Sequence, residues 1–417
     1  MASLDVIAAL QKYLSNSLDG AAVRGRSLTG IIGDAPSHYS KSPALWNAAF
    51  EQLGLNAVYL PFDVDAPHVG DLLAALKSSK QFLGANVTVP HKVRIMDFLD
   101  ELDPGARRIQ AVNTIARGSD GRLVGYNTDG AGFVESLLRR QPDRDENFVA
   151  SLKELNVLLL GAGGSARAVA FHVADLLEGG QLIICNRTPE PARSLAGEIQ
   201  KVGRRASAID EAELSDWAPN AGLIINSTTK GQGGLRKLSN GMATLLESYS
   251  ALAPAHPPAF AEADAVKPDF VERWSKAARA NIEANHEASL KLAERVPAPT
   301  RFYDLIYHPA ETVFLRHARN TGHPTMNGKA MIVNQAMIAF CERICAPELR
   351  ARGLDTAETR RRRIALVVDQ VLAMTLLFRF DEYRELLARH ESVALALEEP
   401  GLRGSFLGAR GVCEWAV

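Results

Sequence analysis

The sequence predicts an α/β protein built from two α/β domains, with a helical insertion in the second and a helical C-terminal extension. Three observations carry that prediction. Short apolar runs alternate with stretches of helical period over roughly the first third of the chain. A continuous apolar run, Asn156–Leu160, then enters a glycine-rich turn and a further helical stretch. Finally, 417 residues are enough for two or three domains of about 100–200 residues each.

Taken in order, residues 4–15 read as a short amphipathic helix, with Leu4, Ile7, Ala8 and Leu10 apolar and Lys12 polar. A strand-like run follows at Leu28–Gly33, then a loop rich in Ser, His and Pro. Ala44–Leu53 reads as a helix, Ala57–Phe62 as a strand, Val69–Leu76 as a helix and Gly84–Val89 as a strand. Residues 140–154 are polar and carry Arg140, Asp143, Arg144, Asp145 and Glu146, which suits a boundary. Beyond it, Asn156–Leu160, Leu182–Cys185 and Leu223–Ile225 have the unbroken apolar character of buried parallel strands. Ala166–Leu177 is the helix between the first two, stopped by Gly179-Gly180. The segment 150–230 is therefore a doubly wound unit. Residues 235–300 break the pattern with an Ala/Pro-rich stretch around Pro254, Pro257 and Pro258, and Phe270–Glu294 then reads as one long helix or a bent pair. Residues 342–395 are helical in pattern, and the Arg360–Arg363 run is a solvated basic face.

The domain plan that follows has residues 1–140 as one unit and 150–325 as a second, interrupted at about 235–300. Residues 346–417 form the extension.

Composition narrows the function classes. Apolar residues make up 47% and charged residues 23%, ordinary values for a globular chain, and the net charge is −1. Nothing in that balance draws nucleic acid or an anionic membrane, so neither is expected as a partner. Cys185, Cys341, Cys345 and Cys413 form no paired Cys-x-x-Cys set, so no metal site is expected. Cys341 and Cys345 stand at helical spacing and read as core. Reduced thiols and an N-terminus without a basic, apolar leader point to the cytoplasm.

Gly161-Ala162-Gly163-Gly164-Ser165-Ala166 follows a strand and opens a helix. That arrangement turns the chain tightly, lets backbone approach a pyrophosphate and offers free N–H groups to it, with Ala166 in the place of the third glycine. At the end of the next strand, where NAD-binding folds place a carboxylate against the ribose, stands Asn186-Arg187-Thr188. A guanidinium pairs with a 2′-phosphate that a carboxylate would repel, so the cofactor expected of this Rossmann-type unit is NADP.

The chemistry lies earlier. Asn86-Val87-Thr88-Val89-Pro90-His91-Lys92, Ala111-Val112-Asn113-Thr114 and Asn127-Thr128-Asp129-Gly130 each put polar side chains just after a short apolar run, where strand ends open into loops. With a nicotinamide carrying the hydride, the protein has only to move a proton and hold an alcohol. Lys92 can carry that proton, and Asp129 can fix the ammonium or the hydroxyl. His91 reads as a loop histidine rather than a proton shuttle. The hydroxyls of Ser40 and Ser42, one residue apart on extended chain, can both bond one carboxylate.

Together with Tyr303-Asp304-Leu305-Ile306-Tyr307, Asn226-Ser227-Thr228 and Asn334-Gln335-Ala336, these stretches resemble the shikimate/quinate dehydrogenase family over about 28–235 and 302–341. The resemblance implies an NADP-dependent enzyme that reversibly reduces 3-dehydroshikimate, a small cyclic hydroxy acid, to shikimate. It implies that Lys92 and Asp129 are the catalytic pair and that Ser40 and Ser42 hold the substrate carboxylate. Thr88, Asn113, Tyr307 and Gln335 would surround the ring. Thr228 would line the cofactor cleft, and Gly328 and Met331 would lie near the nicotinamide. It further implies that about 326–345 returns to the first domain. The chain departs from the family at Tyr39, where a His is usual, at Gln110, where a glycine usually precedes Ala111, and at Pro191, which often is a second arginine. A quinate or aminoshikimate dehydrogenase is the alternative within the class. A catalytically silent ligand sensor is the alternative outside it, and the presence of both Lys92 and Asp129 speaks against that. The insertion and tail match nothing placed in the family; an oligomer interface is one use for them.

Overall fold

The structure is a computed structural model, and it describes residues 3–354 apart from 41, 142, 143 and 239. The Arg360–Arg363 run, Cys413 and most of the C-terminal extension lie outside the described residues.

The first sheet holds β1 (Ser27–Gly33), β2 (Ala57–Asp63), β3 (Phe82–Val87), β4 (Glu101–Leu102), β5 (Thr114–Arg117) and β6 (Leu123–Tyr126), in the order β2-β1-β3-β5-β6-β4. β1 is parallel to β2 and β3, whereas β5 runs antiparallel to β3 and β6. Alternation along the strands makes two buried faces. Leu28, Ile32, Val58 and Phe62 pack with Leu10 and with Leu72, Leu73 and Leu76 of the Val69–Ser78 helix. Ile31 and Tyr59 pack on the other side with Trp46 and Phe50 of the Ser42–Gln52 helix. Val333 and Met337 join that second face from the Lys329–Ile338 helix, so a late stretch of chain returns to cover the first sheet. Each such side chain, fully buried, stabilises the fold by about 1.5–3 kcal/mol.

The second sheet holds β7 (Asn156–Leu160), β8 (Gln181–Cys185), β9 (Ala206–Ile209), β10 (Leu223–Asn226), β14 (Arg301–Asp304) and β15 (Thr325–Met326), once the small strands β11 (Leu235–Lys237), β12 (Met242–Leu245) and β13 (Phe260–Ala261) are counted in chain order. Its order is β15-β14-β10-β7-β8-β9 with every neighbour parallel. Val157 and Leu159 face the Gly164–Leu176 helix, and Leu158 and Leu160 face Leu292, Phe314 and Leu315.

The segment 235–300 is less of an appendage than its composition suggests. β11, β12 and β13 form a small antiparallel sheet, and Tyr249, Phe270, Trp274 and Ala278 make a local core. The Phe270–Arg295 helix then continues as the crossover from β10 to β14, burying Leu292 and Ala293 against the main sheet. Asn285, buried midway along it, accepts a hydrogen bond from Ser250 N at 2.8 Å and donates to the carbonyls of Ser250, Ala253 and Pro254. Cys185, Cys341 and Cys345 are buried. Among the described residues no helix is long and apolar enough to cross a membrane, and no group of three or more His, Cys, Asp or Glu side chains is placed to hold a metal.

Candidate active site

Strand ends bring the polar motifs to one edge of the first sheet. β3 ends at Val87 and β6 at Tyr126. The apolar pair Ala111-Val112 suggests a strand ending at Asn113, but the strand begins there instead, at Thr114. Because β5 is antiparallel to both neighbours, its start lies beside their ends. Thr88, Lys92, Asn113 and Asp129 therefore leave the sheet on the same side.

There the side chains interlock. Lys92 Nζ donates to Asp129 Oδ2 at 2.7 Å, and the Asp129 side chain is only 5% exposed. Asn113 Nδ2 lies 2.8 Å from Asp129 Oδ1, 3.0 Å from Thr128 Oγ1 and 3.0 Å from Gln335 Oε1, so its two hydrogens are shared among three acceptors. Its Oδ1 accepts from Thr128 N at 2.9 Å and from Thr114 Oγ1 at 3.0 Å. Asp129 opens the Asp129–Leu138 helix, where unpaired backbone N–H groups favour a negative charge. Two glycines let that helix sit so deep. A Cβ on Gly130 would come within 2.1 Å of His172 Nδ1, and one on Gly132 within 2.6 Å of Gln335 N. Through Gly132 the Lys329–Ile338 helix comes close enough for Gln335 to reach Asn113.

The network extends toward the serines. Tyr59 OH donates to Asn86 Oδ1 at 2.7 Å, and Asn86 Nδ2 donates to Thr114 Oγ1 at 3.2 Å. Burial pushes the Tyr59 phenol well above its usual range, and Ser42 beside it opposes the shift. Ser40 follows a short Pro36–Tyr39 helix and Ser42 opens the next one, so the two stand at a helix junction rather than along one extended run. Ser42 N donates to Ser40 Oγ at 3.2 Å. Sequence reasoning does not single out Tyr59 and Asn86 as site residues. Tyr59 shows only as a polar group inside a strand otherwise committed to the core, and Asn86 stands within the Asn86–Lys92 stretch without a role of its own. His91 is buried, its ring bonded to Val64 O at 2.8 Å, so it anchors the Thr88–Lys92 turn. Thr88 is half-buried in that turn, its N–H bonded to Ile32 O. Gln110 takes a left-handed φ of 59° at the end of the Pro104–Ile109 helix, which is the physical reason a glycine suits that position. Tyr307 is 48% exposed.

The second set of motifs gathers at the C-terminal ends of β7, β8 and β10. Leu160 pairs in register with Cys185 and with Asn226, so the glycine turn, Asn186-Arg187-Thr188 and Ser227-Thr228 are neighbours. Gly161 has φ 108°, and a Cβ there would meet Ser227 Oγ at 2.7 Å. Around Gly163 and Gly164 a Cβ would meet nothing within 4 Å, and the helix that begins there has no side-chain cap. Ala162 is half-buried, Ser165 exposed and Ala166 buried. The turn thus offers free N–H groups beside open space, which fits a dinucleotide pyrophosphate. Arg187 and Thr188 are exposed next to it, and Asn186 Nδ2 donates to Thr188 O at 2.7 Å. Thr228 donates both N–H and Oγ1 to Asn226 Oδ1, at 2.9 and 2.8 Å. Gly328 fits against Leu305 O, which a Cβ would strike at 2.0 Å. Met331 is 6% exposed and packs into the core beside Tyr303, so most of its surface is already committed.

Residues 31–115 match the family model of the shikimate dehydrogenase substrate binding domain, and residues 144–241 match that of shikimate / quinate 5-dehydrogenase. Over 313 residues the chain is 35% identical to the NADP(+) shikimate dehydrogenase of Carboxydothermus hydrogenoformans, covering 75% of this chain and 90% of that one. A shikimate dehydrogenase solved in complex with NADP+ is 30% identical with a TM-score of 0.55, over 82% of this chain and 95% of that one. The shikimate 5-dehydrogenase of Thermus thermophilus, solved with NADP(H) and shikimate, is 29% identical with a TM-score of 0.52, over 81% and 99% of the two chains. With the paired strand-end clusters and these relatives, the chain belongs to the shikimate dehydrogenase family, a family of oxidoreductases.

Proposed function

We propose that this chain catalyses the NADP-dependent, reversible reduction of 3-dehydroshikimate to shikimate. The observation that carries the mechanism is the Lys92–Asp129–Asn113–Gln335 cluster, held at one sheet edge by bonds of 2.7–3.0 Å. NADPH, when bound along the glycine turn with its 2′-phosphate at Arg187, supplies the hydride. The chain's own residues handle the rest. Lys92 gives its proton to the carbonyl oxygen as the alcohol forms, and takes it back in the oxidative direction. An ammonium has three N–H donors, and the bond to Asp129 uses one, so the same nitrogen can also face the substrate oxygen. Asp129 fixes the direction of that ammonium and is itself fixed by Asn113. Ser40 and Ser42 take the substrate carboxylate, while Thr88, Tyr307 and Gln335 border the ring. Gly328 and Met331 lie toward the nicotinamide.

The test is an absorbance assay at about 340 nm with shikimate and quinate against NADP+ and NAD+, together with the Lys92→Ala variant. Turnover is expected with shikimate and NADP+. The variant should lose about 10²-fold or more in kcat, as removal of a general acid does, with a smaller change in KM. Turnover confined to quinate or to NAD+ would move the substrate or cofactor assignment. Unchanged kcat in the variant would remove Lys92 from the proton transfer.

A further inference from the structure

We infer that Asp304 is a positioning residue that locks the cofactor-side turn at Thr228 and the substrate-side turn at Tyr307 into one fixed relation. The inference rests on the proposed roles of those two turns. Asp304 ends β14 and pairs in register with Asn226, which ends β10. Its side chain is fully buried. Asp304 Oδ1 accepts from Asn226 Nδ2 at 3.0 Å and from Ile306 N at 2.9 Å, and Oδ2 accepts from Thr312 Oγ1 at 2.6 Å. Asn226 passes the constraint on. Its Nδ2 also donates to Lys230 O at 3.2 Å, and its Oδ1 holds both polar hydrogens of Thr228. On the other side, Ile306 N is held by the carboxylate and Ile306 O accepts from Gly328 N at 3.0 Å. Gly328 directly precedes the helix that carries Gln335. One carboxylate that reaches neither ligand site thus ties the turn bearing Thr228, the turn bearing Tyr307 and the start of the Gln335 helix.

The donors around it are all neutral: two side chains and one amide. Lys230, whose carbonyl Asn226 also holds, spends its ammonium on Glu211 at 2.6 Å and on Ala253 O at 2.9 Å. A carboxylate buried without a cation is costly, and burial pushes Asp304 up to about 7 against the pull of its three hydrogen bonds. An apolar residue would pack there at lower cost, but it would leave two turns without their shared acceptor. A satisfied buried network of this kind specifies one arrangement rather than adding stability.

Amide exchange on the ligand-free protein and steady-state kinetics on the same variants test the inference. In Asp304→Ala, exchange at Thr228 and at Ile306 should rise together, by about 10-fold or more, because both lose the bonds that order them. KM should rise for both substrate and cofactor, and kcat/KM should fall about 10- to 100-fold, as expected for misplacement of about 1 Å. Asp304→Asn keeps an acceptor at Oδ1 and should restore both turns, with constants within about threefold of the parent. Asn226→Ser breaks the link on one side only, so it should free Thr228 while Ile306 stays protected. Exchange at Ile306 alone in Asp304→Ala, or kinetics unchanged below the melting temperature, would overturn the coupling. Simultaneous loss of both turns in Asp304→Asn would overturn the role of Oδ1, and this holds even where the alanine variant does not fold. A parent protein that turns over neither shikimate nor quinate would instead count against the functional reading, while the exchange pattern would still decide the coupling.

Discussion

The Gly132→Ala variant separates stability from activity in this protein. The added Cβ would lie 2.6 Å from Gln335 N and 2.8 Å from Gln335 Cα, against an ordinary contact that begins at 3.4 Å. The atoms it meets are Gln335 backbone and Cβ, none of them the far end of a flexible side chain, so the Lys329–Ile338 helix has to retreat by about 0.8 Å. Overpacking of that kind costs about 1–3 kcal/mol. The alanine also returns about 1 kcal/mol of helix propensity, so the net loss is about 0–2 kcal/mol. The active site has no such compensation. The 3.0 Å bond between Asn113 and Gln335 stretches past hydrogen-bonding range, and Asn113 loses one of the partners that orient it toward Asp129. The expected result is a melting temperature lowered by a few degrees or less, with kcat/KM down about 10- to 100-fold. Gly197→Ala is the control. Gly197 lies inside the Pro189–Lys201 helix, and a Cβ there meets nothing within 4 Å. That variant should gain about 1 kcal/mol and keep its kinetics. If calorimetry and the 340 nm assay show both variants behaving alike, close approach at Gly132 is not what places Gln335.

Two further predictions concern charge. Arg187→Asp replaces an exposed guanidinium beside the glycine turn with a carboxylate. The ratio of kcat/KM for NADP+ over NAD+ should fall by at least 10-fold, and an unchanged ratio would remove Arg187 from 2′-phosphate recognition. Asp304→Asn should also change how stability depends on pH. The folded-state value of Asp304 is raised to about 7, above the ordinary carboxylate range, so its protonated form is favoured by folding. The stability this gives is complete below about pH 4 and is lost as the pH climbs to 7, a span worth about 4 kcal/mol at most. The asparagine variant lacks that loss. Urea denaturation should therefore show it gaining on the parent between pH 5 and pH 8, and a constant difference across that range would contradict the buried, cation-free setting of the carboxylate.

Much of this fold is written in local patterns. The buried parallel strands β7, β8 and β10 announce themselves as apolar runs, and the glycine turn after β7 carries both its geometry and its use. What is not legible depends on direction and on distance. Nothing local shows that β5 runs backwards, so Asn113 reads as a strand end although it directly precedes a strand start. The small sheet of β11 to β13 is hidden because Leu235–Lys237 is short and exposed, and because prolines surround β13. Lys92 and Asp129 stand out because they close polar motifs that follow apolar runs. Tyr59 does not, and Asn86 and Asp304 lie in visible motifs without a legible role, because a polar residue within or ending a strand shows its importance only when its partners, tens of residues away, are known. Gln335 is an intermediate case, since its motif is visible but its contact with Asn113 spans 222 residues.

That separation also sets a schedule. On the ribosome, the strands that carry Lys92, Asn113 and Asp129 emerge long before the helix that carries Gln335. The entire dinucleotide-type sheet is made in between. Domains fold largely as units and from the N-terminus first as a chain is made. The nascent first sheet must therefore wait with one apolar face, around Ile31, Trp46 and Phe50, lacking Val333 and Met337. A truncated or stalled chain would present that face to other molecules, so translation that ends before about residue 340 should yield an aggregating fragment rather than a half-active enzyme.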